Sequence, residues 1–233
     1  MKSVLITGTN KGLGRELLKV FLENGWLVYA VSRKIDSFQD ITDAYKNSCI
    51  PIKGDVTNDD VAIKINRSIK ENTSSLDVLI NNAGIAELCF GIENVNAIDL
   101  ENHFKVHVSG AFRVAKACLP YLKKVEQGCI INVSSRKGSI NRINSGIYRI
   151  LMPYQVAKCA QNMLTACLNQ ELKETNILTY AIHPGNLKTD SAPPDADTEP
   201  SLAADKLYQW INTDKKPPGS SLYSVMDDTI IEW

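Results

Sequence analysis

The feature that most constrains the fold is an alternation of short apolar runs with longer amphipathic segments. The run SVLIT at residues 3–7 is apolar, and the segment after it places Leu17, Leu18 and Phe21 at helical spacing before Gly25 ends the pattern. The same alternation recurs along the chain, with strands that are apolar throughout. It predicts a single α/β domain over residues 1–233, in which a doubly wound parallel sheet carries helices on both faces in three layers.

Flanking residues place the expected strands and helices. Pro51 weakens the third strand, because proline cannot donate to a strand ladder. Asn58 or Asp59 is expected to cap a helix, and Pro153 starts another at the position where proline is best tolerated. The acidic, proline-rich stretch at 190–201 is expected to be a loop. Strands are predicted at 3–7, 26–32, 49–53, within 76–84, at 129–135, 177–185 and 221–225, and helices at 14–25, 59–72, 97–124, 153–175 and 202–213.

Composition and charge exclude several classes of partner. The formal net charge is zero and the pI is near 6.8, which gives no electrostatic case for nucleic acid or an anionic membrane. Met1 and Lys2 lead directly into the first strand, so no signal peptide is expected, and no apolar stretch reaches the roughly 20 residues of a membrane span. A cytoplasmic protein is therefore expected. Because the cysteines show neither CxxC pairs nor metal-ligand spacing, we expect no metal site and buried, reduced thiols at Cys49, Cys89, Cys118, Cys129, Cys159 and Cys167.

A glycine-rich stretch, TGTNKGLG at residues 7–14, joins the first strand to the first helix. Amide groups at a helix N-terminus point outward, and the helix dipole favours an anion there. Gly8, Gly12 and Gly14 would let a pyrophosphate approach the backbone closely. A plain tight turn is the alternative, but the position between a buried strand and an amphipathic helix favours a dinucleotide-phosphate loop.

Further motifs follow the glycine pattern T-G-x-x-x-G-x-G in a fixed order. They are Asp55-Val56, Asn81-Asn82-Ala83-Gly84, Ser134-Ser135, Tyr154 and Lys158 in Y-x-x-x-K, and Pro184-Gly185 with Thr189. In these motifs the chain resembles the short-chain dehydrogenase/reductase family over nearly its whole length. Its ending, LYSVMDDTIIEW, and its compact length are most similar to the C-factor and sniffer-type carbonyl reductase branch.

The resemblance implies a Rossmann-like fold and a nicotinamide dinucleotide that exchanges hydride with a carbonyl or alcohol. The cofactor-binding residues that it implies are Gly8, Thr9, Asn10, Lys11, Gly12, Leu13, Gly14, Ser32, Arg33, Asp55, Val56, Asn82, Ala83, Gly84, Tyr154, Lys158, Pro184, Gly185, Leu187 and Thr189.

The residue types of the Y-x-x-x-K motif suit acid–base chemistry. Tyr154 and Lys158 share a helix face, and a lysine ammonium would lower the phenol pKa from near 10. Tyr154 would then protonate a carbonyl oxygen as hydride arrives, with Ser135 hydrogen-bonded to the same oxygen. The resemblance implies that Lys158 also holds the nicotinamide ribose and that Ser135, rather than Ser134, is catalytic. Taken alone, such a tyrosine–lysine pair is a common accident of helix sequence, and the rival Tyr148 lacks a lysine four residues on.

One position departs from the family pattern. The long helix usually carries an asparagine in N-x-x-G, part of a proton relay through water to the lysine, whereas this chain has His107 there. A neutral imidazole can both donate and accept, so His107 is a candidate fourth catalytic residue. The like charge of Lys158 should lower its pKa and leave it neutral at pH 7. The alternative is a histidine that only hydrogen-bonds the backbone at a helix bend.

The end of the second strand indicates which dinucleotide is used. A carboxylate there would bind the ribose 2′-hydroxyl and repel a 2′-phosphate, but this chain has Ser32 and Arg33. Lys11 adds a cation in the glycine loop, and guanidinium binds phosphate strongly. NADP(H) is therefore expected, with NAD(H) as the alternative, unless Arg33 is merely solvated.

The substrate is expected to be a small-molecule carbonyl. The segment between Ser135 and Tyr154 contains Arg136, Lys137, Arg142 and Arg149 but no acidic residue, and an extra loop is expected there. Since this segment borders the catalytic residues, it favours an anionic or phosphorylated carbonyl compound. A solvated basic loop is the alternative.

The resemblance also implies a homodimer or homotetramer, built by pairing of long helices. An apolar stripe on the predicted helix at 153–175 would suit such an interface but could equally pack on the sheet. A different class of function is a dinucleotide-binding regulatory or developmental signalling protein with little turnover, which the presence of Tyr154 and Lys158 disfavours. The stripe comprises Val156, Ala160, Met163, Leu164 and Cys167.

Overall fold

A computed structural model of the protein describes residues 1–86, 90–146, 150–189, 192, 195–214, 216–219 and 221–233. The strands in these residues are β1 (Ser3–Thr7), β2 (Leu27–Ser32), β3 (Cys49–Lys53), β4 (Val78–Asn81), β5 (Gly128–Val133), β6 (Ile177–His183), β7 (Leu222–Ser224) and β8 (Thr229–Ile231). They form one sheet in the order β3-β2-β1-β4-β5-β6-β7-β8. All neighbouring pairs are parallel except β7 and β8.

Helices cover both faces of this sheet. The α-helices are α1 (Gly12–Glu23), α2 (Gln39–Ala44), α3 (Asp60–Asn72), α4 (Ala97–Phe104), α5 (Ala111–Leu122), α6 (Ile140–Asn144), α7 (Met152–Glu171) and α8 (Pro200–Ile211). On one face Leu17 and Phe21 of α1 share a core with Leu207 of α8. On the other, Ile65 of α3 shares a core with Cys118 of α5. The predicted three-layer, doubly wound α/β fold is therefore confirmed.

The predicted long helix over 97–124 is interrupted. A π-helical turn at Lys105–Gly110 separates α4 from α5, which ends at Leu122. At Gly110 a Cβ atom would lie 2.9 Å from Cγ2 of Val56, so the helix passes very close to the segment after β3. The spacing of the apolar residues did not reveal this turn, because a single π-helical turn within a long helix is too short to be recognised from that spacing.

Other boundaries differ from the predictions in smaller ways. α7 ends at Glu171 rather than near Thr175, whose hydroxyl donates to the Leu172 carbonyl in the turn that follows. The expected loop after Ser135 contains α6, whose N-terminus is capped by Ser139. Neither α2 nor the antiparallel strand β8 was predicted, since both are short. Pro51 is accommodated because β3 lies at the edge of the sheet.

The cysteines are only partly buried. Among the described residues all are free thiols, with Cys49, Cys118 and Cys129 buried, Cys159 half-buried and Cys167 exposed, so the expectation of burial was wrong for Cys167. The predictions concerning Cys89, Tyr148, Arg149 and positions 190, 191, 193 and 194 fall outside the described residues.

Two further findings concern membranes and metals. None of the helices in the described part of the chain combines the length and apolar character that crossing a bilayer would need. In the same residues, no group of three or more His, Cys, Asp or Glu side chains is placed to hold a metal ion.

The helix α3 offers a matched test of the core. Ile65 is fully buried, whereas Ile63 on the same helix is 72% exposed. Replacing Ile65 by alanine removes buried methyl groups and leaves a cavity, so the free energy of unfolding should fall by about 2–5 kcal/mol. Ile63→Ala should change it by about 0.5 kcal/mol or less. Urea denaturation of both variants measures this, and equal losses would contradict the placement of α3.

Candidate active site

A cavity of about 990 Å³ opens at the carboxyl edge of the parallel strands. Its walls are formed by the segments that follow β1, β2, β3, β4, β5 and β6. Here β1 has β2 on one side and β4 on the other, so the order of the strands reverses at this point of the sheet. Doubly wound sheets bind ligands in the crevice at such a switch point.

The glycine loop is built for close approach of its backbone. Gly8 has φ +75°, and a Cβ atom there would lie 2.9 Å from Cα of Ala83. A Cβ atom on Gly14 would lie 2.2 Å from the Gly8 carbonyl oxygen. The side-chain amide Nδ2 of Asn82 donates to the carbonyl of Thr7 at 2.9 Å and to that of Gly8 at 3.3 Å, which fixes the loop to the end of β4.

This loop also presents a helix N-terminus to the cavity. α1 begins at Gly12 after Lys11 at the N-cap position, and a lysine side chain has no acceptor atom for the first amide groups of the helix. The first amide groups of the helix are therefore open to an anion. The arrangement fits the pyrophosphate of a dinucleotide.

The structure brings the predicted site residues together, with one difference. Thr9 does not line the cavity, because its side chain is fully buried and its hydroxyl donates to the carbonyl of Val31 at 3.4 Å. Apart from Thr9, every residue predicted for cofactor binding or catalysis lines the cavity. The residues near the catalytic end are Gly84, His107, Ser135, Tyr154, Lys158, Pro184 and Gly185.

The geometry favours Ser135 over Ser134 as the catalytic serine. Ser134 donates its hydroxyl to Oδ1 of Asn162 at 2.5 Å. Ser135 accepts from the backbone N–H of Lys137 at 3.1 Å, and its side chain acts to lower the pKa of Tyr154. Ser135 is thus the serine whose hydroxyl influences the tyrosine.

Burial changes the acid–base properties of Tyr154 and Lys158. Burial raises the pKa of Tyr154 above its usual 10, although the side chain of Ser135 acts to lower it. Burial also lowers the pKa of Lys158 to about 7. The Lys158 ammonium lies 5.7 Å from the centre of the Tyr154 ring. The net lowering of the Tyr154 pKa that the sequence predicted is absent from this arrangement, because burial outweighs the contacts that favour the phenolate.

His107 is buried within the π-helical turn, with 1% of its surface exposed. Its Nε2 lies 2.9 Å from the carbonyl oxygen of Ile85 and 3.3 Å from the Ile85 nitrogen. Nδ1 has no hydrogen-bond partner among the described groups. Burial holds the pKa of His107 well below 6.5, and the charge of Lys158 lowers it further. This direction agrees with the predicted neutral side chain, with burial as the larger cause, and both the neutral state and the relay role stay predictions.

Gly84 makes room for this imidazole. A Cβ atom on Gly84 would lie only 2.8 Å from Cε1 of His107. The ring of His107 also meets Tyr154 edge-on, with 5.7 Å between the ring centres. The histidine therefore fills the space between the loop after β4 and the catalytic tyrosine.

Two buried polar residues near this centre were not predicted from the sequence. His183 ends β6, lines the cavity and has a pKa lowered to about 4, first by burial and then by the charge of Arg136. Gln161 lies three residues after Lys158 and accepts a hydrogen bond from its ammonium at 3.0 Å. The available signals were the place of His183 directly before Pro184 and the helical spacing of Gln161 from Lys158.

The lowered pKa of His107 can be measured directly. Because burial and Lys158 both disfavour the imidazolium, the ring nitrogens of His107 should keep the chemical shifts of neutral imidazole from pH 5 to pH 8. Long-range ¹H–¹⁵N NMR spectra of the labelled protein report this, with the His107→Asn variant used for assignment. A titration midpoint within that range would contradict the prediction.

Comparisons with known proteins show the family to which the chain belongs. A family model described as short chain dehydrogenase matches residues 2–200. Oxidoreductase BOA17 of Botryotinia fuckeliana (strain B05.10) is 31% identical over 188 residues, which are 80% of this chain and 66% of that protein. Carbonyl reductase Sniffer of D. melanogaster superposes with a TM-score of 0.90 at 28% identity, covering 100% of both chains. NADPH-bound carbonyl reductase from chicken fatty liver superposes with a TM-score of 0.88 at 25% identity, covering 100% of this chain and 99% of that one. On the match over residues 2–200, the chain belongs to the short-chain dehydrogenase family.

Proposed function

We propose that the protein is an NADP(H)-dependent carbonyl reductase, which transfers hydride between the nicotinamide and a carbonyl or alcohol substrate. The observation that carries this proposal is the meeting of Tyr154, Ser135 and Lys158 in the cavity that also contains the glycine loop. The similarity to two carbonyl reductases, one of them named as NADPH-bound, supports it.

Each side chain has a distinct part in the proposed reaction. Bound nicotinamide would supply the hydride for reduction. The Tyr154 hydroxyl holds the proton that the carbonyl oxygen receives, and its raised pKa keeps it protonated at neutral pH. Ser135 donates a hydrogen bond to the same oxygen as charge develops there. Lys158 places a positive charge beside the phenol, which eases loss of the proton.

Replacing Tyr154 by phenylalanine tests this assignment. The proton donor is lost while the ring is kept, so kcat/KM for carbonyl reduction should fall by about 10²–10⁴-fold. The NADPH dissociation constant, measured by fluorescence, should change only a few-fold. NADPH oxidation is followed with a panel of aldehydes, ketones and quinones, and Tyr208→Phe serves as the control outside the cavity. If the unaltered protein binds NADPH but reduces none of these compounds, a dinucleotide-binding regulatory protein becomes the better proposal.

The choice of NADP(H) is supported by charges at the other end of the cavity. Ser32, Arg33 and Lys11 all line it. The side chain of Arg33 is 73% exposed, and its Nη1 lies 3.8 Å from Oδ2 of Asp55, a distance too long for a strong hydrogen bond. The guanidinium can therefore turn toward a 2′-phosphate at little cost.

Arg33→Ala should reduce the preference for NADP(H). Loss of the guanidinium removes a charge-assisted contact with the 2′-phosphate, so the ratio of kcat/KM for NADPH to that for NADH should fall by about tenfold or more. Lys34→Ala is the matched control, because this neighbouring cation does not line the cavity. Equal use of both cofactors by the unaltered enzyme, or an unchanged ratio in Arg33→Ala, would reject this cofactor assignment.

We extend the proposal to an anionic carbonyl substrate. Arg136 and Lys137 line the cavity directly after Ser135, whereas Arg142 does not. Burial lowers the pKa of Lys137, although the charge of Asp195 opposes this. A substrate carboxylate or phosphate would compensate the partly desolvated ammonium.

Lys137→Met should therefore lower kcat/KM for a carboxylated ketone several-fold more than for its neutral analogue, mainly through KM. Arg142→Met, which removes a cation from the same segment outside the cavity, should affect both ketones equally. A competition assay between the two ketones provides the measurement. Equal use of both ketones by the unaltered enzyme would remove the extension and leave the reductase proposal intact.

A homo-oligomer and a cytoplasmic location remain proposals. The apolar stripe on α7 does not pack on the sheet, because Val156, Met163 and Cys167 are exposed. Phe104 and Phe112 on the neighbouring helices are exposed as well. These side chains support pairing of this surface with a second copy of the chain.

A further inference from the structure

The ammonium of Lys158 is held by two uncharged acceptors. Its side chain is 5% exposed, and Nζ donates to the carbonyl oxygen of Val133 at 2.7 Å and to Oε1 of Gln161 at 3.0 Å. An ammonium has three N–H donors, so these two bonds leave one for the cavity. Because the two acceptors belong to Val133 of β5 and Gln161 of α7, they fix the direction in which the third N–H of Lys158 points.

Gln161 is in turn held in place by its surroundings. Its own side chain is 1% exposed, and its backbone carbonyl accepts from the hydroxyl of Thr165 at 2.9 Å. That hydroxyl accepts from Nδ2 of Asn132, also at 2.9 Å. Gln161 thus belongs to a buried polar network that ties α7 to the sheet, and its side-chain oxygen is presented to the lysine without freedom to turn to solvent.

Few other groups can compensate the charge of Lys158. Among the described residues no carboxylate pairs with the ammonium, and burial lowers its pKa to about 7. The titratable groups that face it are Tyr154 on the same helix and His107 on the π-helical turn. Burial disfavours the charged form of each, and Nε2 of His107 is bonded to Ile85. The charged lysine therefore depends on its two hydrogen-bond acceptors.

We propose that Gln161 is a positioning residue for Lys158, which keeps the catalytic side chain charged and directs its remaining N–H into the cavity. Gln161 lies outside the Y-x-x-x-K motif and contacts neither the expected cofactor nor the expected substrate. It acts only through the lysine. The consequence for catalysis rests on the proposed reductase function, whereas the effect on Lys158 itself does not.

The experiment titrates Lys158 in the protein without cofactor. With ¹³C-labelled lysine, the Cε resonance of Lys158 is assigned by its loss in Lys158→Met and followed from pH 5 to pH 10. Gln161→Met keeps the volume but removes the acceptor, so the titration midpoint should fall by about one pH unit or more. Gln161→Glu keeps an acceptor and adds a negative charge, so the midpoint should rise by at least as much. The midpoint should therefore be lowest in Gln161→Met, intermediate in the unaltered protein and highest in Gln161→Glu.

Thr165→Val is the matched control. It perturbs the same buried network one turn further along α7, without touching Lys158, and should leave the midpoint within a few tenths of a unit. If Gln161→Met does not fold, Gln161→Asn takes its place. The asparagine side chain is one methylene shorter, so its acceptor oxygen lies farther from the ammonium and the titration midpoint of Lys158 should also fall. Thermal unfolding of every variant identifies losses that are merely structural.

A parallel readout is the alkaline limb of kcat/KM for carbonyl reduction, which should move in the same order as the NMR midpoints. Identical midpoints in all three proteins, or shifts of the same sign in Gln161→Met and Gln161→Glu, would overturn the proposal. If no carbonyl is reduced by the unaltered protein, the proposed function fails, but the NMR titration still decides the role of Gln161.

Discussion

Holding the charge of Lys158 inside the protein determines the character of α7. A helix that packs on a sheet normally buries its apolar side. On α7 the buried side instead includes Lys158, Gln161 and Thr165. Buried polar groups are costly unless they are hydrogen-bonded, and here they continue into the sheet through Asn132, which also accepts from Nδ2 of Asn81 at 2.9 Å. Lys158 thus lies at the end of a series of buried hydrogen-bonded side chains that crosses β5 and β4.

The same constraint explains the outer surface of α7. Since its inner side is polar, its apolar residues Val156 and Met163 are left outside, where they are 51% and 65% exposed. An amphipathic pattern read from the sequence alone would place these residues against the sheet. The helix therefore buries polar side chains and exposes apolar ones, which is the reverse of the usual arrangement.

The sequence was sufficient for the parallel strands of the sheet and, with the family motifs, for most of the cavity, because glycine spacing and apolar strands act locally. It failed where a long-range contact decides the outcome. Thr9 lies in the glycine loop, but its contact with Val31 on the next strand turns it away from the cavity. The π-helical turn arises where the helix meets the segment after β3, and no periodicity records that approach. Gln161 was missed because a glutamine on a helix is ordinarily solvated, and its burial depends on β5.

The two cationic side chains at opposite ends of the cavity, Arg33 and Lys158, differ in their exposure to solvent. At the end with Arg33 the cation is mostly exposed, so salt screens it and its effect depends on forming a direct contact with the ligand. At the end with Lys158 the cation is almost fully buried, so a single carbonyl dipole at 3.0 Å has a large effect on the charged state. Ionic strength should then weaken discrimination between the two dinucleotides while leaving the titration of Lys158 nearly unchanged. If the proposed function holds, cofactor choice and acid–base chemistry vary independently on this scaffold, because solvent exposure separates them.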